Sequence, residues 1–225
     1  MPAGRARDLG FDRSMVIGYG QDDRVCAFTS LAAQLAMADQ MLDKAAVCVL
    51  VDKEEIGSVG ATGMASRFFE NTIAEVMELA GEGGPLPLAR ALASSSMLSS
   101  DVSAGFDPAY ASVFEAKNSA FLGRGLVFNK YTGARGKSGS NDASAEYMAR
   151  IRRIMGDAGV SFQTAELGRV DAAVAGPSPT FPPSTAWTLS TRACLCCRCT
   201  PRGRLRAKPT STRRSRGYEA FLKNA

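Results

Sequence analysis

The 225-residue chain contains no histidine. Zinc sites in proteins normally combine imidazole with carboxylate or thiolate ligands, so a zinc site built from this sequence has to rely on other donors. The chain also lacks an early apolar stretch of the signal-peptide type and any apolar run long enough to cross a membrane. These absences predict a cytoplasmic protein with no membrane partner.

Charge is distributed unevenly along the chain. Residues 172–225 carry ten lysines and arginines against one acidic residue, whereas residues 1–171 carry 17 basic and 21 acidic residues. Four of the six cysteines and six of the ten prolines also lie beyond residue 171. A composition break of this size indicates a separate segment, or a different origin for that part of the sequence.

Before this break, apolar patterns alternate between those of strands and those of helices. The β-branched run Ala45–Val51 predicts a buried parallel strand, and further strands are expected at Gly125–Asn129 and Val160–Gln163. The order predicts an α/β sheet covered by helices, in which functional groups gather at the carboxyl ends of the strands.

Three helices are expected between these strands. The first is capped by Thr29 or Ser30 and continues to Met41, and the second runs from Phe68 until Gly81 stops it. The third is capped by Asp142. Its expected buried face consists of Tyr147, Met148, Ile151, Ile154 and Met155. A last helix is expected at residues 217–225.

Adjacent carboxylates follow the first predicted strand directly, at Glu54 and Glu55. Two neighbouring carboxylates repel each other, so their burial requires a cation or shared protons. The alternative is a solvated turn at the end of a strand. Asp22 and Asp101 are candidates for further metal ligands, although each could equally serve a helix cap or a turn.

Two glycine-containing segments superficially resemble phosphate-binding loops. Gly57, Gly60 and Gly63 have the spacing GxxGxxG rather than GxGxxG, and two glutamates stand where a pyrophosphate would approach. The Gly-Lys-Ser at residues 136–138 lacks the earlier glycine of a P-loop, because position 131 is tyrosine. Nucleotide binding is therefore not predicted.

Five segments carry a recognisable pattern in order along the chain, at residues 18–30, 51–63, 97–108, 128–139 and 162–171. Together they resemble the M18 family of zinc aminopeptidases, the aspartyl-aminopeptidase relatives, and the bacterial branch in particular. The resemblance implies a partial three-layer αβα sheet of the zinc-peptidase (phosphorylase/hydrolase-like) type. It also implies a peptide substrate, release of single N-terminal residues that are often acidic, and assembly into homo-oligomers.

The resemblance also implies a role for each carboxylate. Asp22 would bridge two zinc ions, Glu55 would bind one zinc and Asp101 the other. Glu54 would be the general base. The family's two histidine ligands are absent: the sequence starts too late for the first, and the second belongs to a late Ser-Met-His motif. We therefore expect this chain to be an inactive fragment of the enzyme.

The expected position of that motif falls in the Cys- and Arg-rich tail. If residues 197–200 are encoded TGT CGA TGC ACG, a one-base shift reads Ser-Met-His, and the same shift near residue 174 yields glycine-rich family-like text. This predicts compensating frameshifts. The predicted organisation is a remnant at 1–17, a partial catalytic domain at 18–171, an out-of-frame, poorly ordered and irregular segment at 172–216, and a terminal helix at 217–225.

Three other interpretations are weighed for the tail and for the whole chain. Cys194, Cys196, Cys197 and Cys199 could bind zinc, although their CxCCxC spacing departs from the usual metal motifs. The arginines could bind nucleic acid, but Trp187 is the tail's one tryptophan and no interleaved stacking set accompanies it. The chain could also be a catalytically dead pseudo-subunit with only an interaction role.

Overall fold

The computed structural model of the chain describes residues 4–129, 143–166, 188–191, 195–196 and 204–225. Within these ranges it describes the backbone but not the side chains of Glu55 and of residues 188–191, 195–196 and 204–213. The described strands are β1 (Arg7–Leu9), β2 (Met15–Gly18), β3 (Ser96–Ser99), β4 (Ser103–Ala104), β5 (Leu126–Phe128), β6 (Phe162–Thr164), β7 (Thr188–Thr191), β8 (Leu195–Cys196) and β9 (Arg204–Ala207). The described α-helices are α1 (Gln21–Ala36), α2 (Phe68–Leu79), α3 (Pro85–Ser94), α4 (Ala145–Asp157) and α5 (Lys208–Asn224).

The described strands form several small sheets rather than one large one. β1, β2 and β9 make an antiparallel sheet in which Met15 lies opposite Ala207. The pairs β3–β7, β4–β8 and β5–β6 are parallel, with Leu126 opposite Phe162 in the last. Parallel pairs alternating with helices confirm the predicted α/β class.

The main core forms where α4 and α5 pack on β5. All five apolar residues predicted for the buried face of α4 are buried. The N-cap is Ser144 rather than Asp142: the Ser144 hydroxyl oxygen accepts from the Tyr147 N–H over 3.2 Å, and Asp142 lies outside the described residues. From β5, Leu126 and Phe128 are almost fully buried against this helix.

Helix α5 completes this core from the far end of the sequence. It begins at Lys208, nine residues before the predicted start at Gly217, and buries Tyr218, Ala220 and Phe221 between α4 and α1. The described parts of the predicted out-of-frame segment are therefore β7, β8, β9 and the first half of α5. Most of residues 172–203 lies outside the described part, so the frameshift stays a prediction.

Two further element predictions are wrong. Helix α1 begins at Gln21, so Thr29 and Ser30 lie inside it, and their hydroxyls donate to the carbonyls of Val25 and Cys26 at 2.7 and 2.8 Å instead of capping the helix. The run Ala45–Val51 belongs to none of the described strands. A strand needs a neighbouring strand for its backbone groups, and none of the described strands pairs with this run.

Within the described residues, no helix combines the length and apolar character needed to span a bilayer.

Candidate metal centre

Three aspartates converge at the start of α1. One carboxylate oxygen from each of Asp22, Asp23 and Asp101 lies within 4.8 Å of the others. The backbone departs from helical geometry at Asp22 and Asp23, whose shared peptide bond is cis. Asp101 follows the carboxyl end of β3 by two residues, the edge at which functional groups of α/β sheets are expected. The structure therefore brings together two of the predicted ligands, Asp22 and Asp101.

Asp23 was missed in the sequence, although it stands beside Asp22. Its pKa lies above the ordinary value, first because burial removes water from the carboxyl group, and then because Cys26, Asp101 and Asp22 surround it with groups that disfavour its charge. Part of the residue remains exposed, so solvent still screens one side of the cluster. Crowding of this kind is relieved by a cation or by protons.

A small apolar cluster packs next to the aspartates. Val25 and Cys26 are buried and pack with Val102, the residue after Asp101. Burial also raises the pKa of the Cys26 thiol to about 11, against the opposing influence of the Arg214 guanidinium and a hydrogen bond with Asp23. Cys26 is therefore a neutral thiol at physiological pH.

Helix α5 contacts both chain segments that carry the aspartates, near Cys26 and at Ser100. Arg214 is fully buried, and its Nη1 donates to Cys26 Sγ over 3.7 Å, one helical turn beyond Asp22. The hydroxyl of Tyr218, one turn further along α5, shares a short hydrogen bond with the Ser100 hydroxyl, next to Asp101. One face of α5 therefore contacts the two chain segments that carry the aspartates.

The two predicted glutamates lie in a separate tight loop. Glu54 starts a 3-10 helix, Glu54–Ile56, flanked by Lys53 at φ +66° and Gly57 at φ +90°. Glu54 is half-buried, and one of its carboxylate oxygens is shielded from solvent. It does not belong to the group of three aspartates, and the side chain of Glu55 lies outside the described part. Within the described residues, Glu54 is therefore outside the group of aspartates, and the predicted role of Glu55 as a ligand stays a prediction.

The glycines after this loop shape its backbone. A Cβ on Gly63 would lie 2.1 Å from the Ser58 carbonyl oxygen, and Gly57 and Gly60 both have positive φ. Thr62 donates to Asp52 over 2.6 Å, and this hydrogen bond, followed by one from Lys53, lowers the pKa of Asp52. The spacing of these glycines thus serves a compact turn that folds back on the glutamate loop.

The donor set suits a divalent cation bound through oxygen. Hard cations prefer carboxylate oxygens, and three carboxylates this close together repel one another without positive charge. The sequence supplies no imidazole, so the centre lacks the nitrogen donors usual for zinc. The side chains of the four tail cysteines lie outside the described residues, and their predicted role as a zinc site stays untested.

Comparison of the sequence with protein families gives one clear match. The profile of the family described as aminopeptidase I zinc metalloprotease (M18) matches residues 1–185. A probable M18 family aminopeptidase 1 of Clostridium acetobutylicum is 62% identical over 171 residues, which are 76% of this chain and 36% of that protein. The chain thus spans well under half the length of this relative.

Solved structures give the same result. The crystal structure of aminopeptidase I from Clostridium acetobutylicum superimposes with a TM-score of 0.88 and 49% identity over 99% of this chain and 47% of that one. An M18 aminopeptidase from Thermotoga maritima gives a TM-score of 0.92 at 33% identity, covering all of this chain and 49% of that one. A yeast aminopeptidase 1 dodecamer, with a TM-score of 0.76 and 16% identity, shares the fold alone.

Proposed function

Because the chain belongs to the M18 family of zinc metalloproteases, we propose that it is the carboxylate-bearing part of a metal-dependent aminopeptidase. The observation that supports this most directly is the convergence of Asp22, Asp23 and Asp101. The proposal covers a divalent-cation site in this chain and peptide hydrolysis only in an enzyme that also has the remaining half of the fold.

The aspartates would hold the cation. Asp22 and Asp101 would bind it directly, while Asp23, whose carboxyl pKa is raised chiefly by burial, would lose its proton as the cation binds. When bound, zinc in such sites polarises a carbonyl and lowers the pKa of a bound water. Zinc is the metal that the family's description names, and two ions per site is the number that the resemblance implies.

Glu54 and Glu55 keep their proposed roles as general base and metal ligand. A general base has to lie within hydrogen-bond reach of the proton it takes, directly or through one water. Glu54 would do so from the start of the 3-10 helix Glu54–Ile56, directly or through one water. A preference for acidic N-terminal residues and assembly into a homo-oligomer are further parts of the proposal.

Cation binding tests the proposed centre. We expect ZnCl2 to raise the unfolding temperature of the purified chain and to bind with measurable heat in isothermal titration calorimetry. Asp101→Asn should weaken this binding at least about tenfold, because it removes a charged donor. Asp39→Asn, at an exposed aspartate outside the cluster, should leave the affinity unchanged. Equal affinities in the wild type and Asp101→Asn would exclude the centre.

Activity gives a second readout. Without either imidazole ligand the chain alone should hydrolyse an N-terminal aspartyl amide no faster than Glu54→Gln, because carboxylates alone hold zinc weakly and with distorted geometry. Zinc-dependent hydrolysis that is lost in Glu54→Gln would contradict the expected inactivity of this chain, while supporting the role of Glu54 as base.

A further inference from the structure

Helix α5 places one permanently charged side chain inside the protein. Arg214 is fully buried, and neither its Nε nor its Nη2 has a hydrogen-bond partner among the described residues. The ion pairs that join described residues, Lys53 with Asp52 and Arg67 with Glu70, do not include it. A guanidinium stays charged inside a protein, and its burial without a compensating charge is strongly unfavourable. The position of Arg214 therefore calls for negative charge nearby.

Cys26 connects Arg214 to the aspartates of the candidate metal centre. Arg214 Nη1 donates to Cys26 Sγ over 3.7 Å, and the same thiol shares a hydrogen bond with the Asp23 carboxyl group. Burial is the main reason that the pKa of Cys26 is raised, while the charge of Arg214 opposes this shift and that of Asp101 adds to it. The guanidinium and the carboxyl groups thus act on one thiol with opposite signs.

The surroundings of this thiol strengthen the attraction between the two charged groups. Val25 and Cys26 are buried and pack with Val102, so little water lies between the guanidinium and the carboxyl groups. Coulomb interactions are much stronger in such an apolar environment than in bulk water. The three aspartates, which repel one another, and the buried cation therefore compensate each other's charge.

The packing of α5 keeps Arg214 in this position. Three residues further on, a Cβ on Gly217 would lie 2.5 Å from Leu126 Cδ1, so α5 lies very close to β5. Tyr218, one turn after Arg214, is buried on the same inner face. Arg216 is exposed on the opposite face. Helix α5 therefore carries one arginine that is enclosed beside the aspartates and one that solvent surrounds.

We propose that Arg214 is the resident counterion of the aspartate centre and that it lowers the affinity of this centre for a divalent cation. A metal ion held by Asp22 and Asp101 would add two positive charges close to a guanidinium that cannot lose its own. The inference rests on the proposed metal centre. The family profile matches residues 1–185 and so assigns Arg214 no role.

Zinc titration of charge variants tests the effect on affinity. In isothermal titration calorimetry, Arg214→Met should bind ZnCl2 at least about tenfold more tightly than the wild type, because its unbranched neutral chain no longer opposes the cation. Arg214→Lys keeps the charge and should stay within about threefold of the wild type. If Arg214→Met fails to fold by circular dichroism, Arg214→Gln, which is also neutral, should show the same gain.

Arg216→Met is the matched control for this titration. It removes the same charge from the same helix, but at an exposed position where solvent and salt screen the interaction with the aspartates. Zinc affinity should therefore be unchanged. A gain in Arg216→Met equal to that in Arg214→Met would show that net charge, and not the buried guanidinium, sets the affinity.

Urea unfolding in EDTA tests the charge pairing without any metal. Arg214→Met, Asp101→Asn and the double variant form a double-mutant cycle, which isolates the attraction between the two groups. The unfolding equilibrium constant of the double variant should be at least about fivefold lower than the product of the two single effects predicts. The reason is that each single change already removes the whole attraction, so the second removes nothing more of it.

Two further results would overturn the proposal. These are a wild type that binds zinc as tightly as Arg214→Met does, and a cycle in EDTA that shows no coupling. If neither protein binds zinc but the cycle shows coupling, the metal centre of the proposed function fails while Arg214 stands as the counterion of the aspartates. The two failures are therefore distinguishable.

Discussion

At two single residues, burial opposes the ionisation of a side chain. Asp23 and Tyr147 both have raised pKa values, in each case chiefly because burial removes water from the group, and for Asp23 the neighbouring Cys26, Asp101 and Asp22 add to the shift. Tyr147 is 3% exposed, and its hydroxyl donates to the Met97 carbonyl oxygen over 3.0 Å. Because the pKa of such a group differs between the folded and unfolded states, the free energy of unfolding depends on pH, and the sign of the pKa shift gives the direction.

For Tyr147, the expected dependence lies at alkaline pH. Desolvation raises the pKa of Tyr147 from 10 to about 12, with Arg150 opposing the shift. A raised folded-state pKa means that the phenol's contribution to stability is complete below pH 10 and is lost as the pH rises to 12, about 3 kcal/mol in total. Tyr147→Phe should lack this loss.

Urea unfolding at several pH values checks this expectation. At pH 8 the Tyr147→Phe variant should be less stable than the wild type by about 1 kcal/mol, because a hydrogen bond is missing. Near pH 11 the two should become equal, and above it the variant should be the more stable. A difference that stays constant from pH 8 to pH 11 would show that Tyr147 does not titrate with a raised pKa.

Asp23 shows why the residue composition of the centre could be predicted only in part. The sequence pointed to Asp22 and Asp101 through their resemblance to known motifs, and the structure brings these two together. Asp23 escaped because neighbouring side chains usually point apart, and only the local backbone geometry at residues 22 and 23 places both carboxylates on one side. No periodicity in the sequence encodes such a geometry.

Among the secondary-structure elements, those determined by neighbouring residues in the sequence could be predicted, and those that depend on distant partners could not. Helix α4 was predicted with its whole buried face, because its apolar residues recur at helical spacing. The start of α5 was missed, because Lys208 to Arg213 have no apolar period. The run at residues 45–51 was expected to be a strand, but pairing depends on a neighbour that the described residues do not provide.

Helix α5 also leads to a prediction for the metal centre. Tyr218→Phe keeps the buried ring but removes the hydrogen bond to Ser100, so the segment carrying Asp101 should be less firmly held. We expect zinc affinity to fall by about tenfold, the lower end of what the loss of supporting hydrogen bonds costs around metal ligands. Isothermal titration calorimetry measures this directly.

Tyr147→Phe is the matched control for that experiment. It also deletes the hydroxyl of a buried tyrosine, but its bond goes to Met97, at the start of β3 rather than beside Asp101. Zinc affinity should therefore be unchanged in this variant. If both variants lose zinc affinity equally, a general loosening of the core explains the effect, and the hydrogen bond from Tyr218 to Ser100 does not.

At the scale of the whole molecule, stability is concentrated in one half of the described chain. The largest buried cluster joins α4, α5, β5 and Ala33, whereas α2 and α3 bury no residue at all. Local opening should therefore cost much less in α2 and α3 than in α4.

Hydrogen exchange of the chain alone tests this difference. Amides in the middle of α4 should be protected at least about a hundredfold more than those in the middle of α2, since opening α2 exposes little additional apolar surface. The comparison is internal, because both helices have similar lengths. Equal protection of α2 and α4 would mean that the described residues unfold as one cooperative unit.

The position of α5 has a consequence for biosynthesis. Helix α1 ends at Ala36, but the helix that packs against it spans Lys208–Asn224, so about 170 residues are synthesised between the two. At about 5–20 residues per second, the ribosome needs roughly 10–40 s to cover that distance. During this time the apolar face of α1 and the apolar cluster next to the aspartates remain exposed to solvent. The nascent chain should therefore be a substrate for chaperones until α5 has emerged from the ribosome.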